Sequence, residues 1–252
     1  MAQPIKNVMV MGAGGLFGTQ VFAALSLDTS FTLSILTRKS SKSTFPAQYK
    51  VFQVDDDYPL SQLIEAFQGQ DALVVEYLKS KENTGLSWTA IHTGQFFDWS
   101  LEDGWLDFHL KQQRVVIYDS GSKPWSTTTI GTAAASVVKV LLKPEETKNK
   151  PIFVASFTVS QRQVLDELEK ATGSKWEVRK MSSAEALKKA ADMDNEDYSE
   201  GLKLLILMLL YADDVDRGAD FEKDGLLCNK MLGLPAENLA EVVGQVVKRQ
   251  AA

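Results

Sequence analysis

The stretch VMVMGAGGLFGTQV, residues 8–21, places four glycines in seven positions directly after a run of β-branched and thioether side chains. Such an apolar run suits a strand buried on both faces, and glycines that follow it let the backbone turn tightly. Phe17, Val21, Ala24 and Leu25 then recur at spacings of four, three and one, which makes one apolar helical stripe. Strand, bare turn and helix in that order restrict the chain to a fold that opens on a βα unit.

The rest of the first half keeps the same alternation. Strands are expected at residues 5–11, 31–37, 50–55, 72–75, 88–93 and 114–118, with a second amphipathic helix over 59–69 stopped by Gly69. That pattern predicts an α/β fold, a Rossmann-like, doubly wound and mostly parallel sheet. The second half is more helical. Ser160 with Gln163, and Ser182 with Glu185, have the spacing of capping boxes, and Gly173 ends the first of these two helices. Short strands are expected at 152–155 and 176–179, and a polar, Pro-bounded loop at 143–151. The expected organisation is a larger α/β domain over 1–150 and a smaller, mainly helical lobe over 151–252.

Composition excludes several classes. With 27 Lys and Arg against 33 Asp and Glu the net charge is −6, and no basic block is long enough to track a phosphate backbone, so no nucleic-acid partner is expected. One cysteine, Cys228, rules out an internal disulfide, and the N-terminus lacks a secretory h-region, which points to a cytoplasmic protein. The most apolar segment, residues 201–211, is interrupted by Lys203 and spans about half of the ~20 residues a bilayer requires, so it reads as a buried helix and no membrane association is expected.

The glycine turn has the geometry to seat a pyrophosphate against the N–H groups at a helix start. Its spacing is G-x-x-G-x-x-G through Gly12, Gly15 and Gly18, since Phe17 stands where G-x-G-x-x-G needs glycine; Thr19 and Gln20 exclude a Walker A loop. An ordinary glycine-rich turn with no ligand remains open. At the end of the second strand SILTRKSSKS supplies Arg38, Lys39 and Lys42 and no acid. A guanidinium there suits a ribose 2′-phosphate, whereas an acid would suit a 2′-hydroxyl, so NADP(H) is favoured over NAD(H); a solvated basic loop is the other reading.

The motifs GAGGLFG, TRKSSKSTFP, GLSWTAIHTGQFFDW and YDSGSKPWSTTTIGTAAASVVKVLLKPEE together resemble the NmrA-like and isoflavone-reductase-like proteins of the atypical short-chain dehydrogenases, the fungal members most. The resemblance implies a Rossmann domain that holds NADP(H). Gly12, Gly15, Leu16, Phe17 and Gly18 would hold the pyrophosphate with Gly14 beside them, Arg38 and Lys39 the 2′-phosphate next to Thr37, and Asp55 would lie near the adenine. His92, Gln95, Phe96 and Phe97, in IHTGQFF, would line the substrate, so that residues 94–113 of a dinucleotide-binding domain over 1–150 would contribute to the substrate pocket. The function implied is an NADPH-dependent reductase of a small aromatic or polyketide-like metabolite. The alternative is a catalytically silent, NADP-sensing regulator that binds a protein partner.

One departure is large. After DALVV the family has about two further strand-helix units and a lysine-bearing segment, whereas here DALVV runs into EYLKSKENTG. The absent portion is on the order of fifty residues. It removes one central strand and the residue that would inherit the catalytic lysine's role. Tyr77 and Lys81 have the Y-x-x-x-K spacing of an acid tyrosine beside an ammonium, and equally that of a solvent-facing helix. His92 and His109 stand seventeen apart without further ligands at metal spacing, so no metal is expected. The aromatic residues Phe96, Phe97, Trp99, Trp105 and Phe108 fit either a substrate wall or plain core packing.

Overall fold

A computed structural model describes residues 4–74, 87–193, 198–215 and 218–251. The chain runs β1 (Asn7–Met11), α1 (Leu16–Ser26), β2 (Thr32–Arg38), β3 (Lys50–Val54), α2 (Leu60–Phe67), β4 (Ala72–Val74) and β5 (Thr89–His92). It continues β6 (Gln95–Phe96), α3 (Phe97–Asp103), β7 (Phe108–His109), β8 (Arg114–Tyr118), β9 (Trp125–Thr128), α4 (Ile130–Leu142), α5 (Pro144–Thr147) and β10 (Lys150–Phe153). The last stretch is β11 (Phe157–Val159), α6 (Gln161–Thr172), β12 (Glu177–Met181), α7 (Ser183–Ala191), α8 (Tyr198–Tyr211), α9 (Asn229–Leu232) and α10 (Leu239–Ala251).

These elements form two compact units: residues 1–91, 131–152 and 231–234 make the first, and 92–130, 153–230 and 235–252 the second. Residues 92–130, expected from the sequence in the first domain, thus group with the second unit. The reason is packing: Phe97, Leu101, Phe108 and Ile117 share one core with Leu168, Leu204 and Val243.

In the first unit the sheet order is β3-β2-β1-β4, all parallel. β1 has apolar side chains on both faces because both are covered. Val8 and Val10 pack with Val21 and Leu25 of α1 and with Ala134, Val137 and Val138 of α4. Met9, on the opposite face, packs with Leu36, Val54 and Ala66 of α2. This is a doubly wound sheet, and α1 is pinned to it one turn beyond the glycines. Among the described residues β4 ends the sheet, and the next strand in the chain, β5, pairs with β10 instead. The sheet therefore stops where the absent strand unit is expected.

The second unit holds the sheets β11-β9-β6 and β12-β8-β7 beside its helices. Both capping boxes form, Ser160 with Gln163 and Ser182 with Glu185, and Gly173 closes α6 in the left-handed region. Two segments differ from expectation. Residues 143–151 include the short helix α5, begun by Pro144, and Thr147 is buried. In α8 Leu204, Leu207, Met208 and Tyr211 are buried, whereas Leu202, Leu205 and Leu209 on the opposite side are exposed, so the segment is amphipathic rather than buried all round.

Tyr118 and Tyr211 lie in that core, with rings 5.9 Å apart. Burial pushes both phenols well above the ordinary tyrosine range, and the Asp107 carboxylate adds to the shift. A folded-state pKa above the unfolded value means the stabilisation is complete below about pH 10 and is lost as pH rises beyond it. Alkaline titration followed by tyrosinate absorbance and circular dichroism should show these two residues ionising together with unfolding of the unit; ionisation with the fold intact would contradict their burial.

Candidate functional site

In the first unit the site begins at the turn between β1 and α1. Gly12 has φ +81° and its carbonyl accepts from the Gly15 N–H at 2.9 Å, which reverses the chain within one residue of the strand. Gly15 is the N-cap of α1, so the helix starts without a side-chain cap and with no acid in its first turn. A Cβ on Gly18 would stand 1.9 Å from the Gly12 carbonyl oxygen, so the helix approaches the turn more closely than any side chain allows. An uncapped helix start with bare backbone in front of it fits an anion. Leu16 is exposed and Phe17 half-buried. Gly14 has a further reason to lack a side chain: a Cβ there would meet the Ser43 hydroxyl at 2.2 Å. Residues 43–49 and the outer face of α1 line an open groove of about 480 Å³, with Thr19, Phe22, Phe45 and Tyr49 on its walls.

The ends of β2 and β3 lie side by side, with Arg38 opposite Val54. Thr37 is half-buried and Arg38 exposed. Lys39 Nζ meets Asp55 Oδ1 at 2.7 Å. Asp55 is also bracketed by Gln62 of α2, which donates to its Oδ2 at 2.6 Å and accepts from its backbone N–H at 2.8 Å. The Lys39 hydrogen bond, followed by that from Gln62, holds the Asp55 carboxyl below the usual carboxylate range. The structure therefore joins two residues that the sequence treated separately, and adds Gln62, which no motif marked.

In the second unit the exposed His92 ring stacks on Phe153, with centroids 4.5 Å apart and planes at 13°, and Phe153 meets Phe221 edge-on at 5.1 Å. Gly94, with φ +60°, lets the chain pass the Ser126 carbonyl, where a Cβ would stand 2.4 Å away. Gln95 and Phe96 are half-buried in β6 beside β9. Phe97 is fully buried, edge-on to Phe157 at 5.3 Å, so its ring packs in the core of the second unit. Phe108 is buried with it and Trp105 packs against the same core, so this aromatic run is mainly core. Phe153 and Phe221 were missed because nothing local distinguishes a phenylalanine that stacks on a residue far away in the chain. Tyr77 and Lys81 lie outside the described residues. Among the described residues no group of three His, Cys, Asp or Glu is arranged to hold a metal, and no helix is long and apolar enough to cross a membrane.

In fold the chain is similar to isoflavone reductase, with a TM-score of 0.72 at 14% identity over 96% of this chain and 99% of that one. It is equally similar to AtPrR2 solved with NADP+ and (+)-pinoresinol, with a TM-score of 0.72 at 14% identity over 98% and 100%. Oxidoreductase aprR of Aspergillus flavus is 34% identical over 298 aligned positions, covering 96% of this chain and 99% of the relative. The chain belongs to the NmrA-like and isoflavone-reductase-like family. No protein-family model matches it. The 298 aligned positions exceed the 252 residues of the chain by 46, so at least that many positions of this family member have no counterpart here. That is the size of the segment read as absent after β4.

Proposed function

We propose that this family member binds NADP(H) at the Gly12–Gly18 turn and reduces a small aromatic or polyketide-like metabolite. The observation that carries the reading is the pairing of an uncapped, glycine-fronted helix start with Arg38 and Lys39 at the neighbouring strand end. In this reading the first turn of α1 holds the pyrophosphate, Arg38 takes the 2′-phosphate with the Asp55-paired Lys39 at its edge, and Thr37 and Asp55 flank the adenosine. His92, backed by Phe153, offers a flat aromatic face beside Gln95 and Phe96, which suits a planar substrate. The bound cofactor supplies a hydride. Support comes from the fold relative solved with NADP+ and pinoresinol.

A second reading follows from the 46 or more unmatched positions: a chain without the lysine-bearing segment retains the nucleotide site and serves as an NADP-sensing regulator with a protein partner. Calorimetric titration with NADP+ and NAD+ followed by an NADPH-consumption assay on aromatic carbonyls and enones separates the two. Binding with turnover supports the reductase, and binding with none across the panel favours the regulator. Arg38→Ala is expected to weaken NADP+ by about tenfold to a hundredfold, the range of one or two charge-assisted hydrogen bonds, and NAD+ by much less. Equal losses for both nucleotides would show that Arg38 does not read the phosphate.

A further inference from the structure

The cations at the end of β2 are not all unopposed. Lys39 has Asp55 as its counter-ion, and a carboxylate at this edge is a repulsive neighbour for a 2′-phosphate and a suitable acceptor for a 2′-hydroxyl. What separates this from an ordinary surface ion pair is the bracket from Gln62. Its Oε1 accepts from the Asp55 N–H at 2.8 Å while its Nε2 donates to Asp55 Oδ2 at 2.6 Å, so both ends of Asp55 are fixed by one side chain. Each carboxylate oxygen is then engaged, Oδ2 by the amide and Oδ1 by the ammonium. The Lys39 backbone is anchored as well, since its N–H donates to the Val54 carbonyl at 2.8 Å.

We propose that Gln62 is a specificity-determining residue for the nucleotide: by covering Asp55 Oδ2 and turning the carboxylate onto Lys39, it withholds the acceptor a 2′-hydroxyl needs and leaves the strand end to a 2′-phosphate. This rests on the NADP(H) reading above. Without Gln62 the carboxylate is free to rotate about its broad terminal torsion and present an uncovered oxygen to the ribose. Gln62 acts through Asp55 and is a positioning residue, so its effect must vanish when Asp55 carries no charge.

The test measures dissociation constants for NADP+ and NAD+ on the full chain as wild type, Gln62→Ala, Asp55→Asn and the double variant, with the melting temperature of each. Gln62→Ala is expected to lower the preference for NADP+ about fivefold and Asp55→Asn to raise it about threefold, the scale of exposed charge interactions. The double variant should match Asp55→Asn. A purely structural role for Gln62 would weaken both nucleotides together, lower the melting temperature and leave their ratio unchanged, and that result overturns the proposal. So does a double variant that still loses preference. A wild type that binds neither nucleotide, or binds them equally, overturns the underlying NADP(H) reading and this inference with it, and is recognised from the wild type alone.

Discussion

Lys203→Ala is expected to lower the stability of the second unit by about 3–5 kcal/mol, the range for removing one partner of a buried ion pair. Lys203 Nζ lies 2.6 Å from Asp107 Oδ1, and the two side chains are only 14% and 8% exposed. The other oxygen, Asp107 Oδ2, accepts from the Tyr118 hydroxyl. The anion cannot move to water when its cation is deleted, because its backbone is tied on both sides. The Asp107 N–H donates to the Gly104 carbonyl, and its own carbonyl accepts from Val116 of β8. The variant leaves a carboxylate in a core with one phenol for company. Against a total stability of about 5–15 kcal/mol, that loss should show as a large fall in the denaturant midpoint. The exposed pair Arg179 and Glu177 is the control: both partners are more than half exposed, so breaking it should change little. A double variant, Lys203→Leu with Asp107→Leu, should recover part of the loss, since the unpaired charge disappears with its partner. A Lys203→Ala midpoint equal to that of the wild type would mean that the pair is solvated.

What the sequence disclosed and what it withheld divide by distance along the chain. The strand over 114–118 and both capping boxes appear where expected, because a short β-branched run and an S-x-x-E/Q spacing are written within a few residues. The glycine turn was legible for the same reason. Phe96 and Phe97 show the limit: adjacent residues of one type part company because α3 begins between them, which sends one into the core and leaves the other half-buried. Lys203 looked like an interruption in an apolar helix, and its meaning depends on Asp107, 96 residues earlier. Gln62 was silent because a glutamine in a first helical turn is ordinary until Asp55 is found beside it. The assignment of 92–130 to the second unit was likewise beyond local pattern, since it follows from which core that segment fills.

Gly18→Ala should remove nucleotide binding and destabilise the first unit, although alanine is the better helix former. In helix interiors the exchange gains up to about 1 kcal/mol. Here the new Cβ would lie 1.9 Å from the Gly12 oxygen, 2.7 Å from the Gly12 carbonyl carbon and 3.1 Å from the Ala13 Cα, all of them backbone. No rotamer relieves such a contact. The Gly12 carbonyl cannot yield easily, since it accepts from the Gly15 N–H at 2.9 Å and moving it would break the turn. The helix must move instead, and Val21 and Leu25, buried against Val8 and Val10, resist that movement. Overpacking of this kind costs about 1–3 kcal/mol, which outweighs the propensity gain. Gly14→Ala is the informative comparison, because its nearest obstacle is the Ser43 side chain, which can turn away. Thermal melting with and without NADP+ should therefore rank wild type above Gly14→Ala and Gly14→Ala above Gly18→Ala, with the ligand-induced shift lost in Gly18→Ala. A Gly18→Ala protein that still binds NADP+ with wild-type affinity would show that the phosphates do not sit against the start of α1, however well the turn is shaped to receive them.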